Sequence, residues 1–167
     1  MNSIFTRRSI RRYSDTPIET EKIDKILRAA MQAPSAGNQQ PWEFIIVNEK
    51  TQLETLSKLS PYASMVSKSP VSLVILANTS SLRFADYWQQ DLSAATQNIL
   101  IEATELGLGS VWLGVAPDKD RIDYVSNMFN LPSNIIPFAV VALGYPATQG
   151  NTFVDRYDES KIHYEKY

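Results

Sequence analysis

The stretch from Asp86 to Leu106 constrains the fold more than any other part of the sequence. Leu92, Ala95, Ile99, Ala103 and Leu106 recur at helical spacing and predict one long helix with an apolar stripe. Ala94, Ile101 and Thr104 make its other faces small or apolar as well. A helix with so little polar surface needs cover on several sides, inside a domain or against another subunit, and the subunit interface is the expectation.

Short runs of β-branched and aromatic residues predict strands at Trp42 to Val47, Val71 to Leu76, Ser110 to Leu113 (reaching Gly114) and Ile135 to Leu143. The bulky Phe44-Ile45-Ile46-Val47 predicts a central strand. Pro137, which cannot donate to a ladder, places the start of the last run away from mid-sheet. Ile23, Ile26, Leu27, Ala30 and Met31 predict an amphipathic helix from about Glu19 to Ala33, stopped by Pro34. Leu53, Leu56 and Leu59 mark another helix, as do Ile122, Val125 and Phe129. At the N-terminus, Asn2 or Ser3 is expected to cap a short helix that turns Ile4, Phe5 and Ile10 inward. Strands and helices mix without strict alternation, so the class is α+β, and 167 residues predict a single domain over 1–167.

Much chemistry is excluded. With no cysteine there are no disulfides, thiolate metal sites or thiol nucleophiles, which is consistent with a reducing cytosol. The lone His163, near the C-terminus, is expected to be solvated, and no metal site is predicted. No apolar run approaches the ~20 residues of a membrane span, so a soluble cytoplasmic protein is expected. Gly107-Leu108-Gly109 follows a helix and precedes a strand, the reverse of a dinucleotide fingerprint, and reads as a helix cap. There is no nucleophile elbow and no P-loop lysine, and the carboxyl groups are spaced as on helix surfaces.

Against this background Arg7-Arg8-Ser9-Ile10-Arg11-Arg12-Tyr13 stands out. Four of the eight arginines fall in six positions of a chain whose net charge is -2. Such a run is a solvated face, an arm for nucleic acid or a membrane surface, or a grip on phosphate; the acidic pI of about 5.4 argues against nucleic acid. The loop from Ala33 to Trp42 is a plain turn or a ligand contact: it offers the Ser35 hydroxyl, the side-chain amides of Asn38, Gln39 and Gln40, and Gly37. If the chain is an enzyme, a phosphorylated cofactor has to bring the chemistry, and FMN suits both segments.

The arginine heptapeptide, the Ala33 to Trp42 loop, Gln97-Asn98, the run Gly107 to Gly114 and Arg156-Tyr157-Asp158 together resemble the small FMN-dependent nitroreductases, in order and over almost the whole chain. The resemblance implies a central, mainly antiparallel sheet and an intertwined homodimer with FMN at the interface. By motif position, Arg7, Arg8, Ser9 and Arg11 are the phosphate and flavin contacts of one subunit, and Arg156 returns to the phosphate. Pro34, Ser35, Ala36 and Asn38 reach the same flavin from the other subunit, while Trp112, Leu113 and Gly114 line the ring. No side chain reacts: NADH or NADPH gives hydride to flavin N5 and leaves, and a nitroaromatic, quinone or similar acceptor follows in a ping-pong cycle. The alternatives on the same fold are a reductase or dehydrogenase of a dedicated metabolite and a non-catalytic FMN redox sensor. The short segments Ser60 to Pro70 and Val115 to Pro132 predict an open pocket, and the polar tail from Tyr145 to Tyr167 is expected to lie across the partner.

Overall fold

A computed structural model describes residues 3–80, 82–148 and 150–167. Four strands, β1 (Trp42–Val47), β2 (Val71–Asn78), β3 (Gly109–Gly114) and β4 (Ile135–Gly144), form one antiparallel sheet in the order β1-β2-β4-β3. The helices are α1 (Ser3–Thr6), α2 (Thr20–Met31), α3 (Lys50–Leu56), α4 (Trp88–Glu105) and α5 (Lys119–Phe129). The expected α+β class and antiparallel sheet are found.

Residues alternate between the faces of a strand, so β2 sends Leu73 and Ile75 to one core and Val74 and Leu76 to another. The first core lies under α2 and α4; the second lies under α3 and α5. Cover on both faces is why β2 and β4 read as mostly apolar runs and why the one polar residue inside β2, Ser72, is buried against the Ser69 hydroxyl.

Two strand positions differ from expectation. Trp42–Val47 is an edge strand, with Ile46 47% exposed, because β-branched residues report a half-covered pleated surface and not a place in the sheet. β4 is central in spite of Pro137. The register slips between Ile75 and Leu76, which oppose Ala139 and Pro137, and this bulge absorbs the missing N–H. The skipped Phe138 turns its carbonyl to the N–H groups of Val115 and Ala116.

α4 buries Leu92, Ala95, Ile99 and Ala103 as predicted, and with them Asp91 and Thr96. It ends in a Schellman motif: Gly107 has φ +77°, its N–H donates to Thr104 O, and the N–H of Leu108 donates to Ala103 O. The N-terminal turn differs from expectation. Ile4 and Phe5 face outward in the single chain, Ser3 opens α1 without capping it, and Asn2 lies outside the described residues. Met31, at the last position of α2, is exposed as well.

Candidate functional site

The N-terminal arm is laid along the open edge of β3. The N–H of Ile10 donates to Ser110 O at 2.9 Å, and Ser9 bridges Ser110. Tyr13, buried, then donates its hydroxyl to the carbonyls of Ile10 and Ala142. Burial pushes the Tyr13 pKa up, so the hydroxyl stays a donor. These contacts fix the four arginines relative to the sheet.

Arg7 and Arg8 meet Arg156 in a recess of about 300 Å³ that also includes Ile4, Phe5 and Tyr157. Asp155 lines it too, but accepts the N–H of Tyr157 at 3.0 Å. Among the described residues, none of these three arginines is ion-paired with a carboxylate. Burial, then Arg156 and Arg8, holds the Arg7 guanidinium below its usual pKa. Arg8 Nε and Ser110 Oγ are buried without a hydrogen-bond partner. Asn151 ties the recess to the sheet, accepting the N–H of Arg8 at 2.9 Å and donating to Leu108 O at 3.0 Å.

Farther along the same edge, Arg11 faces Trp112, Leu113 and Gly114 across a groove of about 520 Å³ that also holds Tyr62 and Arg121. Backbone polar groups alternate sides along a strand. Because the Ser110 carbonyl points to the open edge, so do the peptide groups of Trp112 and Gly114. The Gly114 carbonyl accepts Arg121 Nη1 at 2.9 Å, which leaves the N–H groups of Trp112 and Gly114 presented beside two guanidiniums.

The loop after α2 is set by Asp91. Its Oδ1 accepts the N–H of Ala36 at 2.8 Å and its Oδ2 accepts Gln39 Nε2 at 2.6 Å. Ser35 Oγ accepts the N–H of Gln40, and Gly37, Asn38 and Gln40 all have positive φ. A loop held in these sparsely populated conformations is a prepared surface, the sort that clusters at ligand sites.

One chain therefore brings Arg7, Arg8 and Arg156 together, with Ser9 following in the arm against Ser110 and Arg11, Trp112, Leu113 and Gly114 next along β3. It does not bring Pro34, Ser35, Ala36 and Asn38 to them. The loop hangs from Asp91 at the start of α4 and the arginines gather beside Leu108 past its end, an axial separation of about 20 Å at 1.5 Å per residue.

A sequence model of the Nitroreductase family matches residues 4–145. The chain belongs to the nitroreductase family. Among relatives, it is 44% identical to a Methanothermobacter thermautotrophicus protein provisionally named NADH dehydrogenase/NAD(P)H nitroreductase, over 100% of this chain and 87% of that one. A Clostridium acetobutylicum structure provisionally named as an NADH oxidase matches with TM-score 0.97 and 50% identity, over 99% of each chain. An FMN-dependent nitroreductase from Clostridium difficile matches with TM-score 0.91 and 33% identity, over 100% of each chain.

Three residues of this nitroreductase-family site escaped the reading of the sequence. Asp91 was findable: it lies four residues before Ala95 on the apolar stripe of α4, where an acid needs a partner. Ser110 and Asn151 carry no pattern; the burial of Ser110 and the hydrogen bonds of Asn151 single them out.

Proposed function

We propose that this nitroreductase-family protein passes reducing equivalents from NADH or NADPH to a nitroaromatic, quinone or similar flat acceptor, donor and acceptor taking turns at one place in a homodimer. It is an FMN-dependent NAD(P)H oxidoreductase, as its family and its FMN-dependent relative indicate. A cysteine-free chain is consistent with the reducing cytoplasm as its location.

The observation that carries the reading is the convergence of Arg7, Arg8 and Arg156 in one recess, none of them ion-paired among the described residues, with Arg8 Nε buried and unpartnered there. Like charges this close oppose one another, and a phosphate dianion with several acceptor oxygens would answer both the charge and the orphaned Arg8 donor. FMN, when bound, supplies the hydride chemistry at N5 that no side chain here offers. Arg7, Arg8, Ser9 and Arg156 hold the phosphate. Arg11 sets positive charge beside the ring, the Gly114 N–H donates to it, and Trp112 and Leu113 wall it. Pro34, Ser35, Ala36 and Asn38 of a second copy close the other side, which accounts for their separation from the arginines in one chain.

The test is to mix the purified FMN-loaded protein anaerobically with NADH and with NADPH, then add nitro and quinone acceptors. Bleaching by a donor and recovery with an acceptor are expected. A flavin that neither donor bleaches would leave an FMN-holding sensor instead.

A further inference from the structure

A second groove, of about 650 Å³, opens beside the first and holds Arg11, Arg12, Lys50 and Lys68 on its walls. None of the four is ion-paired among the described residues, and Asp15 is the one acid lining the groove. In a chain of net charge -2, four unneutralised cations around one concavity mark a place for a compact anion of high charge. The side-chain amide of Asn48 and the hydroxyls of Ser14 and Ser67 supply neutral hydrogen-bonding groups there.

The two grooves are neighbours. Arg11 belongs to both, and they adjoin along one 3₁₀ segment, Ser64–Lys68: its Ser64 and Met65 face the Trp112–Gly114 groove, its Ser67 and Lys68 the cationic one. The segment covers about 8 Å at 2.0 Å per residue. A ligand reaching from one groove to the other is therefore extended, with its anionic group at the end away from Gly114.

We infer that the cationic groove receives the 2′-phosphate of NADPH, so that Arg12, Lys50 and Lys68 set a preference for NADPH over NADH. This rests on the proposed donor place beside Trp112–Gly114. From a nicotinamide there the dinucleotide extends past Arg11, and only NADPH carries a further dianion at its adenosine end. Arg12, Lys50 and Lys68 make no side-chain hydrogen bond or ion pair with the described residues, so replacing them leaves the flavin recess intact.

The variant Arg12→Gln/Lys50→Gln/Lys68→Gln and the wild type, both FMN-loaded, are compared in stopped-flow bleaching with each donor. The half-saturating NADPH concentration should rise about tenfold or more, the NADH value less than about twofold, with flavin content unchanged. Calorimetry with adenosine 2′,5′-bisphosphate reads the groove apart from turnover: binding to the wild type and none to the variant is expected. Unchanged NADPH saturation, an equal rise for both donors, or no bisphosphate binding to the wild type overturns the inference. Failure of both donors to bleach the wild type, with bisphosphate binding lost in the variant, would instead remove the reductase reading and keep the anion site.

Discussion

Oδ1 of Asp91 accepts the N–H of Ala36 at 2.8 Å, tying the first turn of the long helix to a loop 55 positions earlier in the chain. The same buried carboxyl group takes Gln39 Nε2, whose own Oε1 accepts the N–H of Phe84. Asp91→Asn sets an N–H₂ group against one of these donors, and Gln39 cannot turn its amide over without breaking its bond to Phe84. The variant should lose about 1–3 kcal/mol of stability in denaturant unfolding and bind FMN more weakly. Wild-type stability and FMN affinity together would show that Asp91 does not set the loop.

Arg156 gives opposite effects in the two ligation states. Without FMN, Arg156→Ala removes a like charge that opposes the Arg7 guanidinium, so the apoprotein should melt no lower than wild type. With FMN, loss of one charge-assisted contact of about 1.5–3 kcal/mol should weaken binding by on the order of tenfold to a hundredfold. Arg7→Ala should weaken it similarly and purify mostly colourless. Calorimetry of FMN binding and melting curves of both forms check this.

Gly109 matters through the arm it admits. A Cβ there would meet Ile10 Cγ2 at 2.6 Å and Ile10 Cβ at 2.7 Å, too close for the arm to remain on β3. Gly109→Ala should cost about 1–3 kcal/mol, as overpacking does, and lower FMN affinity without removing any proposed contact. Adding Ile10→Gly, which removes the Cβ as well as the branches, should restore part of both. A second change that restores neither would detach the effect from the arm.

The Tyr145 hydroxyl donates to Glu19 at 2.7 Å and accepts from Lys22. The Tyr145 hydrogen bond is the first cause both of the lowered Glu19 pKa and of the raised Lys22 pKa. Glu19 therefore stabilises the fold above the unfolded carboxyl pKa, and the contribution fades as pH falls through the lowered folded value. Lys22 contributes below the unfolded ammonium pKa and loses this as pH rises through the raised one. In Tyr145→Phe, NMR titration should show Glu19 moving up and Lys22 moving down toward ordinary values. Unmoved midpoints would refute the role of the hydroxyl.

How much was legible in advance varied with the range of the forces involved. The long helix, its glycine-ended terminus and all four strands were plain because helical spacing and β-branched runs record what a residue's near neighbours in sequence demand. The clustering of Arg7, Arg8, Arg11 and Arg12 is legible as a local cationic segment because it stands out against a chain of net charge -2. The β-branched run Trp42–Val47 reads as central yet lies at the sheet edge, and Pro137 reads as peripheral yet lies in a central strand, because strand order depends on partners far away along the chain. Ile4 and Phe5 were expected inward, where apolar character alone pointed them.

By itself, then, the order of amino acids determined the elements, the α+β class and the cationic segment, all consequences of local period and composition. Tertiary structure decided which strand edge stayed open, that Asp91 would be buried as the anchor of a distant loop, that Arg156 would return to Arg7, and that α4 would hold that loop and the arginines about 20 Å apart. These outcomes follow from packing between segments remote in sequence, where burial and hydrogen-bond satisfaction are settled by neighbours in space.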